Sequence, residues 1–180
     1  ETYLEIGDGN VVREYATLHR GTAQDASVTR VGNNNLFMAY THVAHDCRIG
    51  DHVIMANAAS LAGHVEVQDW AILGGFTIVH QFCRIGAHCF CAMGSVVTKD
   101  VPPFVIIGGH PAVARGINVE GLRRRDLDNE AIACLKSAYR MLYMSNRKLE
   151  EAVDAMHTLA CPQVDQLADF VADRTRSIVR

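Results

Sequence analysis

The stretch "VGNNNLFMAYTHVAHDCRIG", Val31 to Gly50, carries apolar residues at Val31, Phe37, Val43 and Ile49, one every six positions. The spacing runs on without exception through Met55, Leu61, Val67, Leu73, Val79, Ile85, Cys91 and Val97. A helix repeats every 3.6 residues and a strand every 2, so a period of six belongs to neither alone. It fits a short strand and a turn stacked coil upon coil, a parallel β-helix. The Val-Gly and Ile-Gly pairs at 31, 49 and 85 lie 18 or 36 residues apart, so three hexads make one coil and the cross-section is triangular.

Before Val31 the same phase passes through Ile6, Val12 and Leu18 and then slips, with 13 residues from Leu18 to Val31 instead of 12. The polar segment "GTAQDASVTR", Gly21 to Arg30, is therefore predicted to be a loop thrown out from the prism. Such loops carry function more often than coil residues do. Pro102-Pro103 is predicted to end the ladder, giving a β-helix over 1–103 and a connector over 104–118. Beyond it the spacing turns helical at Ile132, Leu135, Tyr139 and Leu142, at Leu149, Val153, Met156 and Leu159, and again from Val164 to Val171. Asp128 suits an N-cap and Pro162 a first helical turn, so a small helical bundle is expected over 119–180, covering the open end of the β-helix.

With 49% hydrophobic and 21% charged residues, the 180-residue chain can bury a core. A formal net charge of -3 supplies no basic excess for phosphate neutralisation, which argues against a nucleic-acid binder. No apolar run is long enough to cross a bilayer, and the N-terminus is not a signal peptide. Cys47, Cys83, Cys89, Cys91, Cys134 and Cys161 form no C-x-x-C pair and sit in apolar surroundings. They read as free core thiols of a reducing cytoplasm. "HCFC", His88 to Cys91, could ligate a metal only with a further ligand from elsewhere, and core thiols are the better reading.

His42, His45, His64 and His80 occupy none of the inward positions. A single such histidine reads as a solvated corner residue, but four of them near an 18-residue stacking interval can line one edge of the prism. The groove between two prisms of a trimer would turn that edge into a pocket. Two chemistries suit it. Three histidines can hold zinc with an open position for water, as in the γ-class carbonic anhydrases. Alternatively a neutral histidine, oriented by the adjacent Asp46, can take a proton from a hydroxyl.

"HVAHDC", "NAASLAGHV", "VHQF", "IGAH", "DVPPFVI" and "GINVEGLRRR", in this order and spacing, resemble the UDP-N-acetylglucosamine O-acyltransferase family of lipid A biosynthesis over nearly the whole chain. The resemblance implies a left hand for the β-helix, a homotrimer with active sites between subunits, and a cytoplasmic enzyme that needs no metal or cofactor. It implies transfer of a 3-hydroxyacyl chain from acyl carrier protein to the 3-hydroxyl of UDP-GlcNAc. His45 would be the general base, Asp46 its orienting partner, and the Gly63 amide the oxyanion donor. His42, His64, His80 and Gln81 would line the sugar and pantetheine groove, while Asn118, Glu120, Arg124 and Arg125 would hold the nucleotide. Met93 falls where the family sets acyl length, and methionine there implies a short chain, 3-hydroxydecanoyl.

Members of the family carry several more coils ahead of the point matching Glu1. The chain, which opens on Glu1 with its repeat running by Ile6, is expected to be the later part of a longer protein. Two rival readings follow: an inactive trimeric scaffold or carrier-protein binder, and the zinc enzyme.

Overall fold

The computed structural model describes residues 1–180. The chain winds through β1 (Tyr3–Ile6), β2 (Val11–Val12) and β3 (Thr17–Leu18), then β4 (Val28–Val31), β5 (Leu36–Phe37) and β6 (His42–Val43). The cycle repeats to β15 (Val96–Val97). Each third strand pairs in parallel with the one a coil below, building three sheets: A from β1 and β4 onward, B from β2 and β5, C from β3 and β6. This is a left-handed parallel β-helix followed by helices.

The hexad series forms three inward columns. Val31 stacks on Ile49, Val67 and Ile85 in sheet A; Phe37 on Met55, Leu73 and Cys91 in B; Val43 on Leu61, Val79 and Val97 in C. None of the twelve is more than 4% exposed. Each fully buried aliphatic of this size contributes about 1.5–3 kcal/mol of transfer free energy, so the columns are the main stabilising feature of the coil. Below them, Ile6 and Val12 of the first coil are 47% and 48% exposed.

The turns repeat as strictly as the strands. Asn34, Tyr40, Asp46, His52, Ala58, His64, Trp70, Phe76, Phe82 and His88 all have φ between 56° and 63°. A left-handed residue at the fourth position of each hexad bends the chain round the corner, and no β-branched residue occupies it, as sterics require. Side chains at this position therefore stack along the prism edges at 18-residue intervals. Asn34, His52, Trp70 and His88 run along the edge between sheets A and B; Tyr40, Ala58 and Phe76 along that between B and C; Asp46, His64 and Phe82 along that between C and A.

Two segments depart from the sequence reading. The excursion after β3 is shorter than Gly21–Arg30, because Val28 to Arg30 already belong to β4 and pair with Tyr3 to Glu5. Nor does the ladder end at Pro102-Pro103. Val101 still bridges Ile85, the prolines fall in the next corner where no ladder amide is needed, and the pairing resumes in β16 (Val105–Gly108), parallel to β14 (Phe90–Cys91). β17 (Val113–Ile117) then adds antiparallel to β16, so much of the expected connector is sheet. Gly86 makes room for the proline corner: a Cβ there would lie 2.3 Å from the Pro103 nitrogen.

The helices are α1 (Val119–Arg123), α2 (Asn129–Tyr143), α3 (Leu149–His157) and α4 (Pro162–Ala172). Asp128 caps α2 by accepting from the Ala131 amide at 2.6 Å, and Pro162 occupies the first turn of α4, both as the sequence indicates. Their apolar faces join the β-helix interior in one continuous core. Arg84 ties the two parts together. It reaches Asp100 at 3.3 Å, Asp173 at 3.2 Å and the Phe170 carbonyl at 2.9 Å. The C-terminus returns to the same place, with the Asp100 amide donating to the Ser177 carbonyl and the Val179 amide to that of Asp100. No helix is long and apolar enough to cross a membrane.

Candidate active site

His45 and Asp46 sit at a corner of the edge between sheets C and A. The left-handed turn at Asp46 folds its carboxylate back toward its neighbour, leaving Oδ2 2.9 Å from His45 Nδ1. The Asp46 side chain is wholly buried, whereas that of His45 is 42% exposed. Burial alone pushes the Asp46 carboxyl pKa up. Hydrogen bonds from the Thr22 hydroxyl, the Thr22 amide and His45 outweigh it and hold the group below its ordinary value. An ionised Asp46 only accepts, so the shared proton lies on Nδ1 and the exposed Nε2 of neutral His45 is left as a bare acceptor.

Thr22 comes from the excursion after β3, so the Asp46 carboxylate is braced by a loop 24 residues away in sequence. Thr29, the second residue of β4 to be buried, adds a brace by accepting from the Asp46 amide at 2.8 Å. Because the Asp46 pKa is depressed on folding, its stabilisation is present above the unfolded value of about 3.9 and is lost as pH falls through the folded one. Thr22→Val, which deletes one hydrogen bond to this charge, is expected to lower the melting temperature by about 3–6 °C at pH 7. The gap between the two proteins should close on acidification toward pH 3. Melting curves showing a gap independent of pH would count against this assignment.

Gly63 lies against the imidazole: a Cβ built there would be 2.7 Å from His45 Cε1 and 2.9 Å from Nε2. The Gly63 amide donates to no acceptor in the chain. The coil leaves this amide unused at other third hexad positions too, such as Gly75, but at Gly63 the residue stands against the His45 imidazole. His64 is next along the edge, its ring perpendicular to that of His45 with centroids 5.1 Å apart and stacked on Phe82 at 4.5 Å. His80 Nδ1 lies 3.0 Å from the Gln81 carbonyl, which also accepts from Arg176. His42 projects outward from β6 beside this edge, 2.7 Å from Thr17 Oγ1 and edge-on to His19. Burial, and then the neighbouring His19, lower the His42 pKa.

The remaining predicted residues lie elsewhere. Asn118 is buried and caps α1, accepting from the Gly121 amide at 3.2 Å and donating to the His88 carbonyl at 3.0 Å. Glu120 pairs with Arg123 at 3.1 Å, and Arg124 is exposed. Arg125 crosses to the edge between sheets A and B, where its guanidinium stands 5.1 Å over the Trp70 ring and 3.3 Å from His88 Nδ1. Burial first, and then Arg125, push His88 down to about 4, which makes it a neutral acceptor for that cation. Met93 stands at the third edge, between sheets B and C, and is 77% exposed, so it does not pack between coils. Within one chain the His45 group, the Arg125 group and Met93 therefore occupy three different edges.

An open cleft of about 700 Å³ lies against His45, bordered by Leu18, His19, Arg20 and Thr22. A larger groove of about 1130 Å³ runs between sheet A and α4 and contains none of the predicted residues. His45, Asp46 and His64 offer ligand atoms within 4.8 Å of one another, the one such group in the chain. It falls short of the three-histidine set, because His42 and His80 stand outside it and the Asp46 oxygens are already engaged. Cys89 and Cys91 of "HCFC" point into the core and are 0% exposed. Sequence reading missed Thr22, Asp25, Thr29, Trp70 and Phe82; only the slip of phase before Val31 pointed to the loop that carries the first two.

Residues 100–179 match the family model described as UDP-N-acetylglucosamine O-acyltransferase, domain 2, and residues 29–63 match that of the bacterial transferase hexapeptide, six repeats. The acyl-[acyl-carrier-protein]–UDP-N-acetylglucosamine O-acyltransferase of Alkalilimnicola ehrlichii is 53% identical over 181 residues, covering 99% of this chain and 70% of its own. That of Thiobacillus denitrificans is 54% identical with the same coverage. Among solved structures, LpxA from Acinetobacter baumannii aligns with a TM-score of 0.97 at 42% identity, over 100% of this chain and 71% of its own. The UDP-N-acetylglucosamine O-acyltransferase (LpxA) from Moraxella catarrhalis gives the same values. With relatives this similar along its whole length, the chain belongs to the UDP-N-acetylglucosamine O-acyltransferase family.

Proposed function

We propose that the chain transfers a 3-hydroxyacyl group from acyl carrier protein to the 3-hydroxyl of UDP-GlcNAc, the first step of lipid A biosynthesis, with His45 as general base. The observation that carries the mechanism is a part-exposed imidazole whose Nδ1 lies 2.9 Å from buried Asp46, beside the unused Gly63 amide. Nε2 takes the proton of the sugar hydroxyl as its oxygen attacks the thioester carbonyl. Negative charge develops on the carbonyl oxygen, where the Gly63 N–H can receive it. Collapse of the tetrahedral intermediate breaks the carbon–sulfur bond, and the leaving thiolate takes the proton back from His45. Asp46 stabilises the imidazolium in between.

Arg125 and Arg124 supply cations for the diphosphate, and planar guanidinium groups suit it. Arg125 stands on a different edge from His45, so a second copy of the chain, placed with its Arg125 edge toward the His45 edge of the first, would complete one site. A homotrimer meets that requirement three times over. Its substrates would place the enzyme in the cytoplasm.

The assay that tests this reading measures acyl transfer from a ladder of 3-hydroxyacyl carrier proteins to UDP-GlcNAc. Product formation with a saturable dependence on both substrates is expected. Carrier-protein binding without product would favour the scaffold reading instead.

The exposed Met93 is read as the end-stop of the acyl groove, favouring 3-hydroxydecanoyl. Each buried methylene of a chain is worth about 0.8 kcal/mol, so a groove opened by Met93→Gly gains affinity for longer donors. In the same ladder the preference should move toward 3-hydroxymyristoyl by at least about tenfold in relative kcat/KM. An unchanged profile would remove the length-stop role.

A further inference from the structure

We infer that Asp25 is a positioning residue for His64, holding the second imidazole of the site in a single tautomer and orientation toward the sugar substrate. This rests on the reading of the site given above. Asp25 Oδ2 lies 2.8 Å from His64 Nδ1, across 39 residues of sequence. The loop that carries it also carries Thr22, whose hydroxyl and amide brace Asp46. One excursion from the coil therefore anchors both imidazoles, that of His45 beside the cleft through Asp46 and that of His64 directly.

The His64 ring is fixed on three sides. One face stacks on Phe82 with centroids 4.5 Å apart, its neighbour His45 meets it edge-on at 5.1 Å, and Asp25 takes Nδ1. The left-handed backbone at His64 sets where the ring starts, and the His64 amide is tied to the His45 carbonyl at 3.1 Å. A carboxylate accepts and does not donate, so the proton of neutral His64 is held on Nδ1. The remaining nitrogen, Nε2, is then an acceptor for a hydroxyl or amide N–H of the sugar. Asp25 itself has no other side-chain partner, and its side chain is 47% exposed, so the fold has little use for it beyond this contact. Without it, the imidazole would share its proton between the two nitrogens and offer the substrate a donor part of the time.

The test uses Asp25→Ala and Asp25→Glu in the full chain, with two readouts. In steady-state kinetics with UDP-GlcNAc varied, Asp25→Ala should raise KM about threefold to fivefold, within the range of one lost hydrogen bond, and leave kcat within about twofold. Asp25→Glu should restore most of the loss. In ring-nitrogen NMR of protein labelled with 15N-histidine, without substrate, His64 should shift from the Nδ1–H toward the Nε2–H tautomer in Asp25→Ala while His45 keeps its own signals. An unchanged His64 tautomer overturns the proposal. So does a fall in kcat together with melting temperature that Asp25→Glu fails to rescue, since that pattern marks loop packing. A wild type inactive on UDP-GlcNAc would instead overturn the functional reading, and the NMR comparison, which needs no turnover, still decides the Asp25–His64 pairing.

Discussion

His45→Ala is expected to lower kcat for acyl transfer by about 10²–10⁴-fold, the range contributed by a positioned general base, with KM for UDP-GlcNAc changing far less. Three features set that expectation. The imidazole is exposed on the cleft side and fixed on the other by Asp46 at 2.9 Å. Removing it takes away the acceptor for the hydroxyl proton without touching Arg125, proposed above to hold the diphosphate, which stands on another edge. Nor does it strand a buried charge: Asp46 keeps both hydrogen bonds from Thr22, at 2.9 Å and 2.7 Å, so the variant should melt within a few degrees of the wild type. Asp46→Ala differs in kind, since it leaves the imidazole in place but frees its tautomer. Steady-state kinetics on both variants, alongside melting curves, separate base from scaffold. A His45→Ala protein with near-normal kcat and a raised KM would make His45 a binding residue only.

What the sequence made legible followed from its period. Twelve apolar residues six apart announced the coil, and their pairing in threes announced which residues would touch, as Val31, Ile49, Val67 and Ile85 do. The same count placed Asp46 and His64 at fourth hexad positions, outside the core. It did not reveal that the fourth position is left-handed, which is what turns Asp46 back onto His45. That bend is a property of the corner, and the residue types there, which include alanine, tryptophan and histidine, mark it only by the absence of β-branched side chains. Contacts made by the aperiodic loop were beyond reach for a related reason: Thr22 to Asp46 and Asp25 to His64 span 24 and 39 residues with no repeat to set a register. The proline pair misled because proline forbids a ladder amide only where a ladder exists, and here it fell in a corner. Resemblance supplied Asn118 and Arg125 as nucleotide ligands. It did not show that Asn118 is already committed to capping α1, or that Arg125 is held over Trp70.

Gly63→Ala is expected to cost about 10²–10³-fold in kcat while leaving the fold almost untouched. The added Cβ would stand 2.7 Å from His45 Cε1 and 2.9 Å from Nε2, closer than real Cβ atoms come, and a tight 3.2 Å from Nδ1. All three atoms belong to one side chain, which is 42% exposed and held by one hydrogen bond to Asp46, so the strain is relieved by displacing the imidazole rather than the backbone. A displacement near 1 Å is enough to break the alignment of Nε2 with a sugar hydroxyl, and the methyl would also crowd the path to the Gly63 amide. Gly75→Ala supplies the control for stability. It lies at the same hexad position on another edge, where a Cβ would meet only the Asn57 carbonyl at 3.3 Å. Equal melting temperatures for the two variants, with turnover lost in Gly63→Ala, would show that the glycine is kept for the imidazole it faces. If Gly63→Ala retained full turnover, neither His45 as placed here nor the Gly63 amide could be doing the chemistry assigned to them, because the methyl obstructs both at once.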